Sequence, residues 1–228
     1  MCGSQVPTVD GRDYGDAGNN LSSISTDVQC EAALALANIA SIKEEAIASI
    51  VAAGAVPPLV KLLSFNVVAD VQAEAAGALG RLAYDTSTHR VIVEAGAVGP
   101  LCGLLLSCTA GMTEKKSAVM ALSHLAFQDE ECQEKIASSG AIAPLVQLLM
   151  ADDEGMQELA ALAIGNVTSL TPRNAELAIG HGSIPPLIRL LSTRNCDVQV
   201  FLLLEFLFGS TVNSGLDRLY SGDIISHL

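Results

Sequence analysis

The stretch GAVPPLVKLLS at 54–64 decides the fold. It returns as GAVGPLCGLLLS at 96–107, GAIAPLVQLLM at 140–150 and GSIPPLIRLLS at 182–192. The leading glycines stand 42, 44 and 42 residues apart. A second phrase keeps the same period between them: EAALALANIAS at 31–41, EAAGALGRLAY at 74–84, SAVMALSHLAF at 117–127 and LAALAIGNVTS at 159–169. A degenerate fifth copy, FLLLEFLFGST, lies at 201–211. Two phrases sharing one period mark an array of stacked units, each too small to bury its apolar face alone.

Each phrase has a physical reading. A short amphipathic stretch precedes every glycine, at 44–53, 88–95, 130–139 and 173–181. Glycine ends it, because only glycine takes the left-handed conformation after a helix freely. Four residues on stands a proline, Pro58, Pro100, Pro144 or Pro186. Proline is tolerated in the first turn of a helix and not deeper, so a second helix opens there. Leu59, Leu62 and Leu63 then form one apolar stripe. The second phrase is a third, longer helix. In its 74–84 copy Val71, Ala75, Ala78, Leu79 and Leu82 share a face. Asp27, Asp70 and Asp197 stand where its N-cap is expected.

Three helices in each unit of about 42 residues, with the pattern G-A-[IV]-x-P-L-[VI]-x-L-L, closely resemble armadillo repeats over roughly 27–228. HEAT repeats share the general architecture but lack the Gly-to-Pro spacing. The resemblance implies an all-α, right-handed superhelical solenoid. It opens with a partial repeat at 27–42 and continues with four full repeats at about 43–211, closing with a truncated repeat at 212–228. Residues 1–26 are rich in Gly, Asn, Ser and Asp without periodicity and read as a disordered polar tail. A solenoid needs polar caps at both ends, and neither end here looks capped. The chain therefore reads as a piece of a longer array. Phe201, Leu202, Leu203, Leu204, Phe206, Leu207 and Phe208, with little sequence after them, predict self-association.

Composition excludes several functions. The net charge is −13 with only 12 Lys and Arg, and Lys115-Lys116 is the longest basic run, so no nucleic-acid partner is expected. Cys2, Cys30, Cys102, Cys108, Cys132 and Cys196 form no CxxC pair and no zinc-type spacing. They read as small buried hydrophobes of a reducing compartment, cytosol or nucleus. The polar N-terminus carries no signal peptide and no Met-Gly start. The charge-free run 95–113 is long enough to span a membrane, yet it contains five junction residues of the repeat and reads as a buried helix. His89, His124, His181 and His227 each stand where other copies hold a different residue, which reads as surface variation. Asp152, Asp153 and Glu154 read as a solvated loop. No catalytic site, metal or cofactor is expected.

In the family it resembles, the third helices line a concave groove for extended peptides, and an asparagine in the A-L-x-N-[IL]-A context bonds the peptide backbone. The matching positions are Asn38, Arg81, His124, Asn166 and Phe208. Four residues earlier, nuclear-import adaptors of the importin α type carry tryptophan. Here those positions are Leu34, Gly77, Met120, Leu162 and Leu204, and the chain has no Trp. Glu31 and Glu74 lie seven residues before the asparagine position, on the same helical face, with Arg81 interrupting their negative field. Leu34, Met120 and Leu162 offer apolar patches. The expected function is a cytoplasmic or nuclear scaffold, not an enzyme, that holds a partner segment with both basic and apolar residues. The alternatives are a regulatory segment of a larger ubiquitin ligase or kinase, or a divergent nuclear-import adaptor.

Overall fold

The computed structural model describes residues 25–42, 44–64 and 67–191. The expectations for residues 1–24, for Asp197, for the fifth copy with Leu204 and Phe208, and for the apolar run at 201–208 lie outside those residues. Every regular element among the described residues is helical. The chain is an all-α solenoid. α1 (Thr26–Ile42) is a third-type helix. Then come the triplets α2 (Glu44–Ala52), α3 (Val56–Leu62), α4 (Ala69–Leu82) and α5 (His89–Glu94), α6 (Val98–Leu106), α7 (Met112–Ala126). They are followed by α8 (Glu130–Ser138), α9 (Ile142–Leu148), α10 (Glu154–Thr168) and the pair α11 (Pro172–Gly180), α12 (Ile184–Leu191). A 3-10 turn, Thr86–Thr88, leads into α5.

The junction glycines behave as the phrase predicts. Gly54, Gly96, Gly140 and Gly182 have φ of 81°, 84°, 80° and 82°. That left-handed backbone reverses the first helix into the second at small cost only for glycine. The bend is sharp: α2 and α3 meet at 80°, and the segment 86–94 meets α6 at 82°. The charge-free run 95–113 is thus broken, and α6 buries Val98, Leu101, Cys102, Leu104 and Leu105. No single helix among the described residues is long and apolar enough to cross a membrane.

The core runs unbroken along the array. Leu59, Leu62 and Leu63, and on α4 Val71, Ala75, Ala78, Leu79 and Leu82, are all buried in it. The most extensive packing joins consecutive third helices, α1 to α4, α4 to α7 and α7 to α10. Cys102 and Cys132 belong to this core, and burial pushes both thiols up to about 12. Cys108, by contrast, is exposed and Cys30 half-buried, so the buried reading does not extend to them.

Three local readings are corrected. Asp27 and Asp70 lie inside the first turns of α1 and α4 and do not cap them. There their charge meets the positive end of the helix without a cap bond. The residue before α4 is Val68. The acidic run at 152–154 is not a plain solvated loop. Asp153 caps α10 by accepting the Met156 N–H at 2.7 Å, and it pairs with Lys116 Nζ at 2.7 Å. His89 is not a surface variant but is fully buried, since it fills a tie between repeats.

Those ties recur at successive junctions. His89 Nε2 lies 2.9 Å from the Ala83 carbonyl. Gln133 Nε2 donates to the Ala126 carbonyl at 3.0 Å, and Asn174 Nδ2 donates to the Val167 carbonyl at 3.0 Å. Each first helix thereby satisfies a carbonyl at the C-terminal end of the third helix before it, where no intrahelical donor remains. Gln133 reaches further: its Nε2 also meets Ser169 Oγ at 3.0 Å, and its Oε1 accepts from Leu170 N and Thr171 Oγ1 at 3.1 and 3.0 Å.

The Asp153 cap carries a pH dependence. The Lys116 ammonium first, and the Met156 N–H second, hold its carboxyl below the ordinary 3.8. A folded-state value below the unfolded one lends stability that is present above the unfolded value and lost as pH falls through the folded value. Asp153→Asn keeps a capping side chain and removes the charge. The variant is expected to melt below wild type at neutral pH, with the difference closing as pH drops beneath 3.8. Thermal melts across that range at constant ionic strength check it, and a pH-independent difference would refute the charge argument.

Candidate functional site

The third helices α1, α4, α7 and α10 carry the asparagine-position residues Asn38, Arg81, His124 and Asn166. The residue before each is small: Ala37, Gly80, Ser123 and Gly165. Small residues there let neighbouring helices approach. A Cβ placed on Gly80 would lie 3.2 Å from Ala121 Cα, 3.3 Å from Ala121 N and 3.3 Å from Met120 Cε. The approach brings two of the four ladder side chains, His124 and Asn166, onto the helix before them. His124 Nδ1 lies 2.7 Å from the Gly80 carbonyl, and Asn166 Nδ2 donates to the Ser123 carbonyl and Oγ, both at 3.0 Å. Carbonyl oxygens only accept, so His124 carries its proton on Nδ1 and the Asn166 amide has one orientation.

The four positions are therefore unequal. Asn38 is exposed and makes no side-chain hydrogen bond within the described residues. Arg81 is exposed and without an ion pair among them. His124 is half-buried, its ring edge-on to Tyr84 with centroids 5.9 Å apart. Asn166 is 5% exposed and its donor is committed. Among the described residues no buried side-chain polar atom lacks a partner. Among the described residues nothing donates to the Asn166 Oδ1.

The acidic and apolar residues also separate. Glu31 is exposed and Glu74 half-buried. They are close: after burial itself, Glu74, Glu31, Asp70 and Asp27 in that order push the Cys30 thiol up. The N-terminal halves of α1 and α4 thus share one negative field. Leu34 is 37% exposed, while Met120 and Leu162 are half-buried. Met120 packs its methyl beside Gly80, so part of its apolar surface is spent inside the array. The sequence reading passed over Tyr84. With Ile42, Phe127 and Leu170, it belongs to a row of exposed apolar side chains three or four residues beyond each ladder position. The signal was present in the last letters of the second phrase, LAY and LAF.

The armadillo/beta-catenin-like repeat model matches residues 43–84 and 129–169. A designed armadillo repeat protein, YIII(Dq.V1)4CPAF, solved in complex with the peptide (KR)4, superimposes with a TM-score of 0.77 at 32% identity, covering 86% of this chain and 82% of that one. The chain belongs to the armadillo repeat family. Among natural armadillo relatives, the human protein "Armadillo repeat-containing protein 3" is 33% identical over 139 residues, 60% of this chain. Importin subunit alpha-6 of Arabidopsis thaliana is 37% identical over 117 residues, 50% of this chain. The chain spans 16% and 21% of the length of these two relatives. An engineered protein of known structure gives a TM-score of 0.79 at 32% identity over 87% of this chain and 81% of its own.

Proposed function

We propose that this armadillo array is a cytoplasmic or nuclear scaffold that holds an extended partner segment along its third helices and contributes binding, not chemistry. The observation that carries the reading is the Asn166 amide. Its donor is fixed on Ser123, and its acceptor, to which nothing donates among the described residues, is left to receive a partner N–H. Asn38 supplies an uncommitted amide at the other end of the row. The carboxylates around Cys30 favour Lys or Arg on the partner, in keeping with the basic peptide held by the designed armadillo protein. Glu31, Glu74 and Asn38 would meet the basic end, Leu34 and Leu162 the apolar side chains. Arg81 and His124 divide the track into two short segments.

The similarity to Importin subunit alpha-6 supports a second reading, a divergent import adaptor. Leu34, Gly77, Met120 and Leu162 stand where that function needs tryptophan, which weakens it. A lysine-rich import signal would then bind no better than a peptide alternating basic and apolar residues.

Asn38 is the cleaner probe. A net hydrogen bond is worth about 1 kcal/mol, so losing two weakens binding by about 2 kcal/mol, roughly 30-fold. Asn38→Ala is expected to produce that loss against a Lys/Arg-bearing peptide, with the melting temperature unchanged because the exposed side chain makes no hydrogen bond among the described residues. Asn166→Ala should lower affinity and melting temperature together, since it also removes the tie to Ser123. Calorimetric titration with parallel melts reads both. Wild-type affinity in Asn38→Ala would place the peptide off this row.

A further inference from the structure

We propose that His89, Asp129 and Cys132 form a binding site for one thiophilic divalent cation of the zinc class. His89 is fully buried, and its Nε2 faces the Ala83 carbonyl at 2.9 Å, so that nitrogen carries a hydrogen. Its Nδ1 lies 3.2 Å from Asp129 Oδ2. The other carboxylate oxygen, Oδ1, is already occupied by the Cys132 N–H at 2.9 Å. A neutral ring protonated on Nε2 aims the Nδ1 lone pair at a carboxylate oxygen. Two electron-rich atoms meeting at 3.2 Å in a part-buried site are held together by a cation between them.

That cation is a proton or a metal, and the third group selects the metal. Cys132 Sγ, His89 Nδ1 and Asp129 Oδ2 all lie within 4.8 Å of one another. A tetrahedral zinc with ligands at 2.0–2.1 Å sets its nitrogen and oxygen donors about 3.3 Å apart, close to the spacing found. A thiolate donor belongs about 3.6 Å from the other two, so binding draws the sulfur in by up to about 1 Å, and the metal displaces the thiol proton, now held toward Asp129, into solvent. Two of the three ligands are also braced from behind: the ring by the Ala83 carbonyl, the carboxylate by the Cys132 N–H. A metal-bound histidine is ordinarily held this way, its second nitrogen donating to a carbonyl. Asp129 is the exposed member, 27% accessible, and leaves a side on which water completes the shell.

The fold alone does not demand this set. Gln133 and Asn174 make the corresponding carbonyl ties with neutral amides. Only the junction at His89 combines an imidazole, a carboxylate and a thiol among the described residues. His89 lies 40 positions, about one repeat, before the Asp129 and Cys132 pair, so no short three-ligand metal motif appears in the sequence.

The test uses the full chain, purified under reducing conditions and freed of metal. Cobalt(II) titration is expected to saturate at one equivalent with a thiolate-to-cobalt charge-transfer band, and zinc should bleach it. Cys132→Ser should abolish the band. His89→Gln should keep the Ala83 tie, melt like the metal-free wild type, and bind zinc about 100-fold more weakly or worse, beyond the effect of a lost bracing contact. A missing band in wild type, a band surviving Cys132→Ser, or zinc binding unchanged in a folded His89→Gln would each overturn the site and leave a proton in the gap.

Discussion

Gln133→Leu is expected to cost about 3–5 kcal/mol of folding stability, although leucine fills nearly the same volume. Gln133 has no exposed surface. Its amide satisfies the Ala126 carbonyl and Ser169 Oγ, and receives Leu170 N and Thr171 Oγ1. Leucine removes the Gln133 end of all four bonds and strands their partners at the junction of α7, α8 and α10. A buried polar group stranded in this way costs about 1–3 kcal/mol, and part of that is recovered where water reaches Leu170, which is exposed. In an array, stability is a sum of unit and neighbour-interface contributions, so the loss should appear as early opening of this junction. Urea unfolding and amide exchange measure the two aspects. Glu134→Ala, an exposed neighbour, should stay within about 0.5 kcal/mol of wild type. A loss below about 1 kcal/mol in Gln133→Leu would show that the network is replaced by water.

Gly80→Val is expected to destabilise by about 3 kcal/mol, at the upper end of overpacking costs. A Cβ at Gly80 meets Ala121 Cα and N at 3.2 and 3.3 Å. Those are backbone atoms, so no rotamer change relieves the contact and α4 must move away from α7. The shift also stretches the 2.7 Å contact between His124 and the Gly80 carbonyl. Gly77→Val, three residues away on the same helix, is the control: its Cβ would meet only Ser117 Oγ, at 3.8 Å. Paired denaturation curves should therefore separate the two variants by more than 2 kcal/mol, roughly 30-fold in the unfolding constant. Equal stability would mean that the third helices slide apart freely, and that the groove spacing is not set at Gly80.

Sequence alone determined the repeat, its three helices, the left-handed glycines and the buried stripes. These rest on chemistry local to a few residues. Glycine is the only residue that takes φ near 80° freely, proline fits only the first turn, and leucines at i, i+3 and i+4 share a face wherever a helix forms. The ladder of Asn38, Arg81, His124 and Asn166 was legible for the same reason, because a repeat copies position. Tertiary structure alone decided what those side chains do. Repeat position puts Asn166 on the groove row, yet its amide donor is taken by Ser123, 43 residues away. His89 was read as surface variation, yet it lies buried between Ala83 and Asp129. Asp70 and Asp153 look alike as helix starts, but only Asp153 turns back to cap. In each case the deciding partner sits on a neighbouring repeat or depends on how the backbone enters the helix. Periodicity states which residues are equivalent; whether an equivalent side chain faces solvent or a neighbouring carbonyl depends on a few tenths of an ångström in how one helix lies on the next.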